Sequence, residues 1–207
     1  YEEPPGQAPL EAMVAAQLLE NQQDLADRTL SGPLPVTRLG DYEVPSALAD
    51  FINCWGGSED DVENRLDLVS YTCQTRDRIF LSSSLSTGNI SYQHDIVSSD
   101  ALGPLRFWRQ LENRGYFPRL DHDGDEISVS NYHCQAGFVA GDGVPMKVTY
   151  CVRGYRKLDG LFDAYLSATS LVENDRALQT TLTASGFSWD NLERLTGAFL
   201  DSVRWNP

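Results

Sequence analysis

The sequence predicts an α+β domain, a meandering antiparallel sheet with helices packed on one face and two disulfides. Short turn signals separate most of the runs with strand character, and short turns force antiparallel neighbours. Helical spacing of apolar residues recurs at the start, the middle and the end of the chain rather than between every pair of strands. There is no internal repeat and no βαβ alternation, so dinucleotide-binding architectures are not expected.

Pro4, Pro5, Gly6 and Pro9 read as linker. Leu10, Met13, Val14, Leu18 and Leu25 follow at helical spacing among Ala, Gln and Glu, which predicts one amphipathic helix over roughly residues 10 to 29. Its apolar stripe is narrow, so it either docks on the domain or pairs with a partner helix. Residues 1–43 are therefore expected to form linker and helix, and 44–207 the α+β domain. The Ser31-Gly32-Pro33-Leu34-Pro35 stretch ends the helix, and Val44-Pro45 followed by Leu48, Phe51 and Ile52 predicts a short helix leading to Cys54.

From about residue 66 the pattern becomes one of strands. Leu66 and Leu68, with Tyr71 nearby, lead to Cys73, and strands over 78–84 and 90–97 flank Gly88-Asn89, a two-residue hairpin signal. Asp100 then caps a helix containing Leu102, Leu105, Trp108 and Leu111, with Gly115 after its end. Strands resume over 126–140 and 144–156, and a further pair over 161–172 and 177–185 turns around Glu173-Asn174-Asp175. Ser188 caps a last helix whose Leu192, Leu195, Phe199 and Val203 share one face.

The cysteines fix a piece of geometry. Asp142-Gly143 has the chemistry of a two-residue hairpin turn, which needs positive φ at both central positions. Partners across such a hairpin have numbers that sum to 285, and Cys134 and Cys151 meet that condition. Counting outward from the turn makes theirs a non-hydrogen-bonded pair, the close pair whose Cα separation a disulfide tolerates. Pro145 also falls at such a site, where it has no N–H to lose from the hairpin. Elimination then pairs Cys54 with Cys73, closing a loop of about 20 residues and contributing roughly 3 kcal/mol on the chain-entropy model. Such bridges persist outside the reducing cytosol, so a periplasmic or secreted location is expected. The chain opens on Tyr1-Glu2-Glu3 without an initiator Met or a signal-type stretch, the mark of a processed form or of a piece of something longer.

A formal charge of −14 argues against nucleic acid and anionic membranes as partners, since both require a basic footprint. The imbalance sits at one end: residues 1–65 hold 13 acidic and 3 basic side chains, and the remainder 17 and 13. No apolar run approaches the roughly 20 residues of a membrane-crossing helix.

Asp121, Asp123 and Asp125 alternate and can direct several oxygens at one hard cation, but the EF-hand positions for Gly and for the closing acid hold Glu126 and Tyr132. A polar turn before a strand is the simpler reading. His94-Asp95 or His122 with nearby serines would suit a hydrolase, yet neither a Gly-x-Ser-x-Gly elbow nor a Gly-Asp-Ser-Gly-Gly run occurs. His133 and Cys134 are strand neighbours pointing to opposite faces, and no Cys-x-x-Cys is present, so zinc and thiol redox chemistry are not expected. No cofactor is expected. Trp55 beside Gly56-Gly57, Trp205 near the end of the chain and Tyr155 are candidates for a ligand or partner surface. Asn89-Ile90-Ser91 is a glycosylation acceptor in a eukaryotic secretory setting.

Phe51-Ile52-Asn53-Cys54-Trp55, Cys73 through Arg78 to Ser82, Gly88 and Tyr92, Leu105-Arg106-Phe107-Trp108, and Leu161 to Tyr165 resemble the region that follows a trypsin-like peptidase domain in some secreted bacterial proteins. The resemblance covers roughly residues 44 to 205. It implies a non-catalytic C-terminal domain with the N-terminal helix as connector, and it carries over no peptidase residue. The expectation is a non-enzymatic accessory domain whose partner is another protein or a neighbouring domain of the same polypeptide. A small-ligand or glycan-binding domain is the alternative, and it predicts aromatics gathered around a concave pocket.

Overall fold

The computed structural model describes residues 7–61, 66–76, 79–80, 86–98, 133–139, 144–155, 158–170 and 176–206. Two helices appear among them, α1 (Gln7–Thr29) and α2 (Trp189–Asp201). The strands are β1 (Val36–Leu39), β2 (Tyr42–Pro45), β3 (Ile52–Asp61), β4 (Leu66–Thr75), β5 (Ile79–Phe80) and β6 (Ser86–Thr87). They continue with β7 (Asn89–Ser98), β8 (His133–Val139), β9 (Met146–Gly154), β10 (Phe162–Ser170), β11 (Arg176–Phe187) and β12 (Arg204–Trp205).

Seven strands form one antiparallel sheet in the order β3-β4-β7-β11-β10-β9-β8. It consists of two meanders, β3-β4-β7 and β8-β9-β10-β11, joined through the pairing of β7 with β11. The described chain is thus richer in β structure than the expected α+β domain. Helices do not cover one face by themselves; α2 shares that face with a three-stranded sheet, β1-β2-β12.

Both disulfides form, Cys54 with Cys73 and Cys134 with Cys151. Each joins residues directly opposite in the ladder, with Cα atoms 4.1 and 4.0 Å apart, the close spacing of a non-hydrogen-bonded pair. The register deduced from the Asp142-Gly143 turn therefore holds along β8 and β9, although the turn itself lies outside the described residues. Each bridge ties an edge strand, β3 or β8, to its inner neighbour.

Side chains alternate along a strand, so register assigns each one to a face. Cys73, Tyr92, Leu182 and Leu166 form one cross-strand row, and every sheet residue of the main core lies on that face. Leu192, Leu195, Phe199 and Val203 of the last helical segment meet it there, as their shared face predicts, together with Leu34, Leu39, Tyr42 and Val44. Cys151 neighbours Tyr150 of the core row and so lies on the opposite face, as do Tyr165 and Thr183. The two disulfides therefore sit on opposite sides of the sheet.

The first helix docks within the chain. Asn191 donates from Nδ2 to Gln23 Oε1 at 3.0 Å, Arg194 pairs with Asp27 at 3.3 Å, and Leu18 packs with Tyr155, Leu158 and Leu161. Met13, by contrast, is left exposed.

Two local expectations are corrected. No short helix precedes Cys54; the chain bends through 46–51, held by Tyr92, whose hydroxyl donates to Ser46 O and accepts from Leu48 N at 3.3 Å. Gly88-Asn89 is not a two-residue hairpin between neighbouring strands. Gly88, at φ 72°, joins β6 to β7, while β7 takes its partners from β4 and β11, and β5 pairs with β6. The sheet β1-β2-β12 was not anticipated. Its β1–β2 turn places Gly40 at φ 57°, where an added Cβ would also meet Ile96 Cδ1 at 2.6 Å. The helix expected after Asp100 lies outside the described residues.

Ser188 caps α2 as expected, its Oγ accepting from Asn191 N at 3.4 Å. Substituting Ser188→Ala is expected to lower stability by about 1 kcal/mol, measured by urea unfolding. Loss of less than a few tenths would mean that the bond contributes nothing.

Candidate functional site

The main core occupies one face of the large sheet and leaves the other outside it. A row crosses all seven strands there: Trp55, Thr72, Gln93, Thr181, Ser167, Thr149 and Ala136. All seven are exposed or half-buried, and none is charged. The neighbouring row, from Asn53 to Cys134, is also uncharged and contains the buried Tyr165 and Cys151. Exposed protein surface is ordinarily rich in Lys, Glu, Asp and Arg, whereas the core of an interface is depleted of them. The two rows together form an uncharged band on a chain of charge −14.

Aromatic side chains stand at the two ends of this face. Trp55 on β3 is 54% exposed, and Phe138 on β8 is 77% exposed. The inter-strand spacing puts them about 29 Å apart across six strand intervals. Charge enters in the flanking rows, through Asp95 and Lys147 on one side and through the buried Arg153–Asp163 pair on the other. Gln93 donates from Nε2 to both Asp95 carboxylate oxygens, at 2.9 and 3.0 Å.

Of the three aromatic candidates from sequence, only Trp55 belongs to this face as an exposed group. Trp205 packs edge-to-face on Tyr42, with ring centroids 4.9 Å apart, in the small sheet. Tyr155 is buried, donates its hydroxyl to Asp163 and packs against Leu18. The three do not converge. A groove of about 420 Å³ lies elsewhere, between the end of α2 and the small sheet, lined by Leu34, Val36, Glu43, Ala198, Asp201 and Arg204 among others. No aromatic residue lines it.

His94 is sealed into the core between the rings of Tyr71, Tyr92 and Phe199. Its Nε2 lies 3.1 Å from Pro45 O, to which it donates, and Nδ1 accepts from Thr180 Oγ1 at 2.7 Å. Thr180 is as deeply buried as the ring. Burial pushes the imidazole pKa down to about 4, partly opposed by the bond to Pro45. Both nitrogens are committed to holding β2 and β11 on the sheet, which makes His94 a packing residue.

Asp121, Asp123, Asp125 and His122 lie outside the described residues. Among the described residues no group of three or more His, Cys, Asp or Glu side chains is placed to hold a metal ion. Both members of each cysteine pair are oxidised, which leaves none as a metal ligand.

No known family model matches the sequence, and no curated protein matches it significantly.

The strand expected over 126–140 includes β8, but sequence reasoning did not single out Phe138 as an exposed group or β8 as the edge of the sheet. The signal was present as seven consecutive residues, His133–Val139, without a charge or a proline. Alternation in a hairpin reads as an inward and an outward side, and it does not reveal that β8 ends the sheet.

Proposed function

We propose that the chain is a non-enzymatic extracytoplasmic interaction domain, periplasmic or secreted, that serves as the accessory module of a larger protein such as a trypsin-like peptidase. The neutral sheet face supports this reading most directly. An uncharged row of exposed and half-buried side chains, with Trp55 at one end, costs little charge desolvation and offers hydroxyl and amide groups that both donate and accept. The two disulfides are compatible with an oxidising compartment, and no described helix is long and apolar enough to cross a membrane.

Association with the neighbouring domain of the parent polypeptide, followed by calorimetry, tests the proposal. Thr181 sits mid-sheet in the neutral row and is half-buried, so Thr181→Glu places an unpaired charge in the contact without reaching the core. It is expected to weaken association about tenfold or more, or ~1.4 kcal/mol. Strong intrinsic turnover by the isolated chain would sink the proposal.

A further inference from the structure

We infer that β8 receives an extended strand from a partner polypeptide, which adds an eighth strand to the seven-stranded sheet. The inference rests on the interaction-domain reading and locates one contact within it. β8 is an edge strand whose described ladder partner is β9. Because Cys134 and Cys151 form a close, non-hydrogen-bonded pair, the N–H and C=O groups of Cys134, Ala136 and Phe138 turn away from β9. Three donors and three acceptors therefore line the open edge.

Proteins usually guard such an edge with charge, proline or a bulge. β8 has none of these: it carries no charged residue or proline, and its pairing with β9 runs without a shift from His133↔Val152 to Val139↔Met146. All seven residues are exposed. The sequence of β3, at the other edge, closes on Glu59-Asp60-Asp61. The Cys134–Cys151 bridge also holds β8 in place before any partner arrives, which reduces the ordering cost of strand capture.

These features select the occupant. Alternating backbone donors and acceptors are matched by another extended backbone, and Phe138 offers an apolar contact to alternate side chains of the incoming strand. A second copy would bring a further −14 to a chain already at −14, most of it from residues 1–65, whereas a strand flanked by basic residues is drawn in by that net charge.

The test uses the whole chain and a synthetic peptide of alternating valine and threonine with lysine at both ends. Binding is expected to slow amide exchange at Cys134, Ala136 and Phe138 by about tenfold or more, and to leave β3 unchanged. Ala136→Pro removes an N–H that bonds nothing in β9, so it is expected to abolish peptide binding while the protein melts as wild type does. Should that variant melt early, a peptide N-methylated at alternate valines tests the same ladder from the other side and is expected not to bind. Exchange that does not change at the three amides, or Ala136→Pro binding as tightly as wild type, overturns the inference. So does a dimer that Ala136→Pro dissolves, because the occupant is then a second copy. If Ala136→Pro still associates with the neighbouring domain at full strength, strand addition falls and the interaction-domain reading stands. If wild type takes the peptide on β8 but ignores that domain, the accessory-module reading falls alone.

Discussion

Replacing Asp163 with alanine is expected to destabilise the protein by about 3–5 kcal/mol, a large share of the stability of an ordinary domain. Its Oδ2 accepts from Arg153 Nε at 2.8 Å and Nη2 at 2.6 Å, and its Oδ1 accepts from Tyr155 Oη and from Gly186 N at 3.1 Å. One carboxylate thus ties β9 and β10 to the irregularity of β11, where Gly186 takes φ 76° opposite the register shift at Phe162/Asp163. Removing it breaks a buried ion pair from one side, since the Arg153 guanidinium is itself buried. The carboxylate also leaves Tyr155 Oη and Gly186 N without the acceptor they share, so four hydrogen bonds are lost with one side chain. Denaturant unfolding of Asp163→Ala beside the Asp163→Ala/Arg153→Met double variant separates the two effects. The double variant is expected to recover part of the loss, and a single variant that costs under about 1 kcal/mol contradicts a buried pair.

Acid is expected to weaken the fold through His94. The folded ring has its pKa lowered to about 4, against about 6.5 in an unfolded chain, so the unfolded state binds the additional proton between those values. Stability from this group is complete above about pH 6.5 and is lost progressively as the pH falls toward 4. The full loss is about 3 kcal/mol. Tyr71 and Tyr92 are the titratable groups stacked against the ring, and burial raises both of their pKa values, so they stay neutral in that window. Urea midpoints measured across the window in wild type and in His94→Gln provide the check. The variant is expected to lose one proton's worth of slope, and equal slopes in the two proteins would assign the acid sensitivity to other groups.

The parts of this fold that were legible in the sequence are those decided locally. A two-residue turn sets its own register, so 134 opposite 151 followed from numbering alone. A Ser188 cap before an apolar face at helical spacing likewise needs no tertiary information. The Gly88 misreading shows the limit. Gly88 signalled positive φ correctly, but the partners of β7 come from β4 and β11, strands that the dipeptide cannot choose. β12 has two residues and pairs with β2, more than 150 positions earlier, which is too short and too distant to leave a periodic trace. The candidate surface divides in the same way. Trp55 was recognised as an exposed aromatic, whereas Tyr155 and Trp205 found partners in Asp163 and Tyr42 that only the folded chain brings near. Phe138 escaped notice because exposure on a strand depends on what covers its face, and adjacent sequence does not encode that.

The placement of the two disulfides bears on how the sheet comes apart. A sheet ordinarily frays from its margins, where a strand has a neighbour on one side and peels away one bond at a time. Here both margins are covalently riveted, β3 to β4 and β8 to β9. Stretching or partial melting is therefore directed to the interior pairings, β4–β7, β7–β11, β11–β10 and β10–β9, which carry no covalent cross-link. The sheet would open along one of these before either rim lets go.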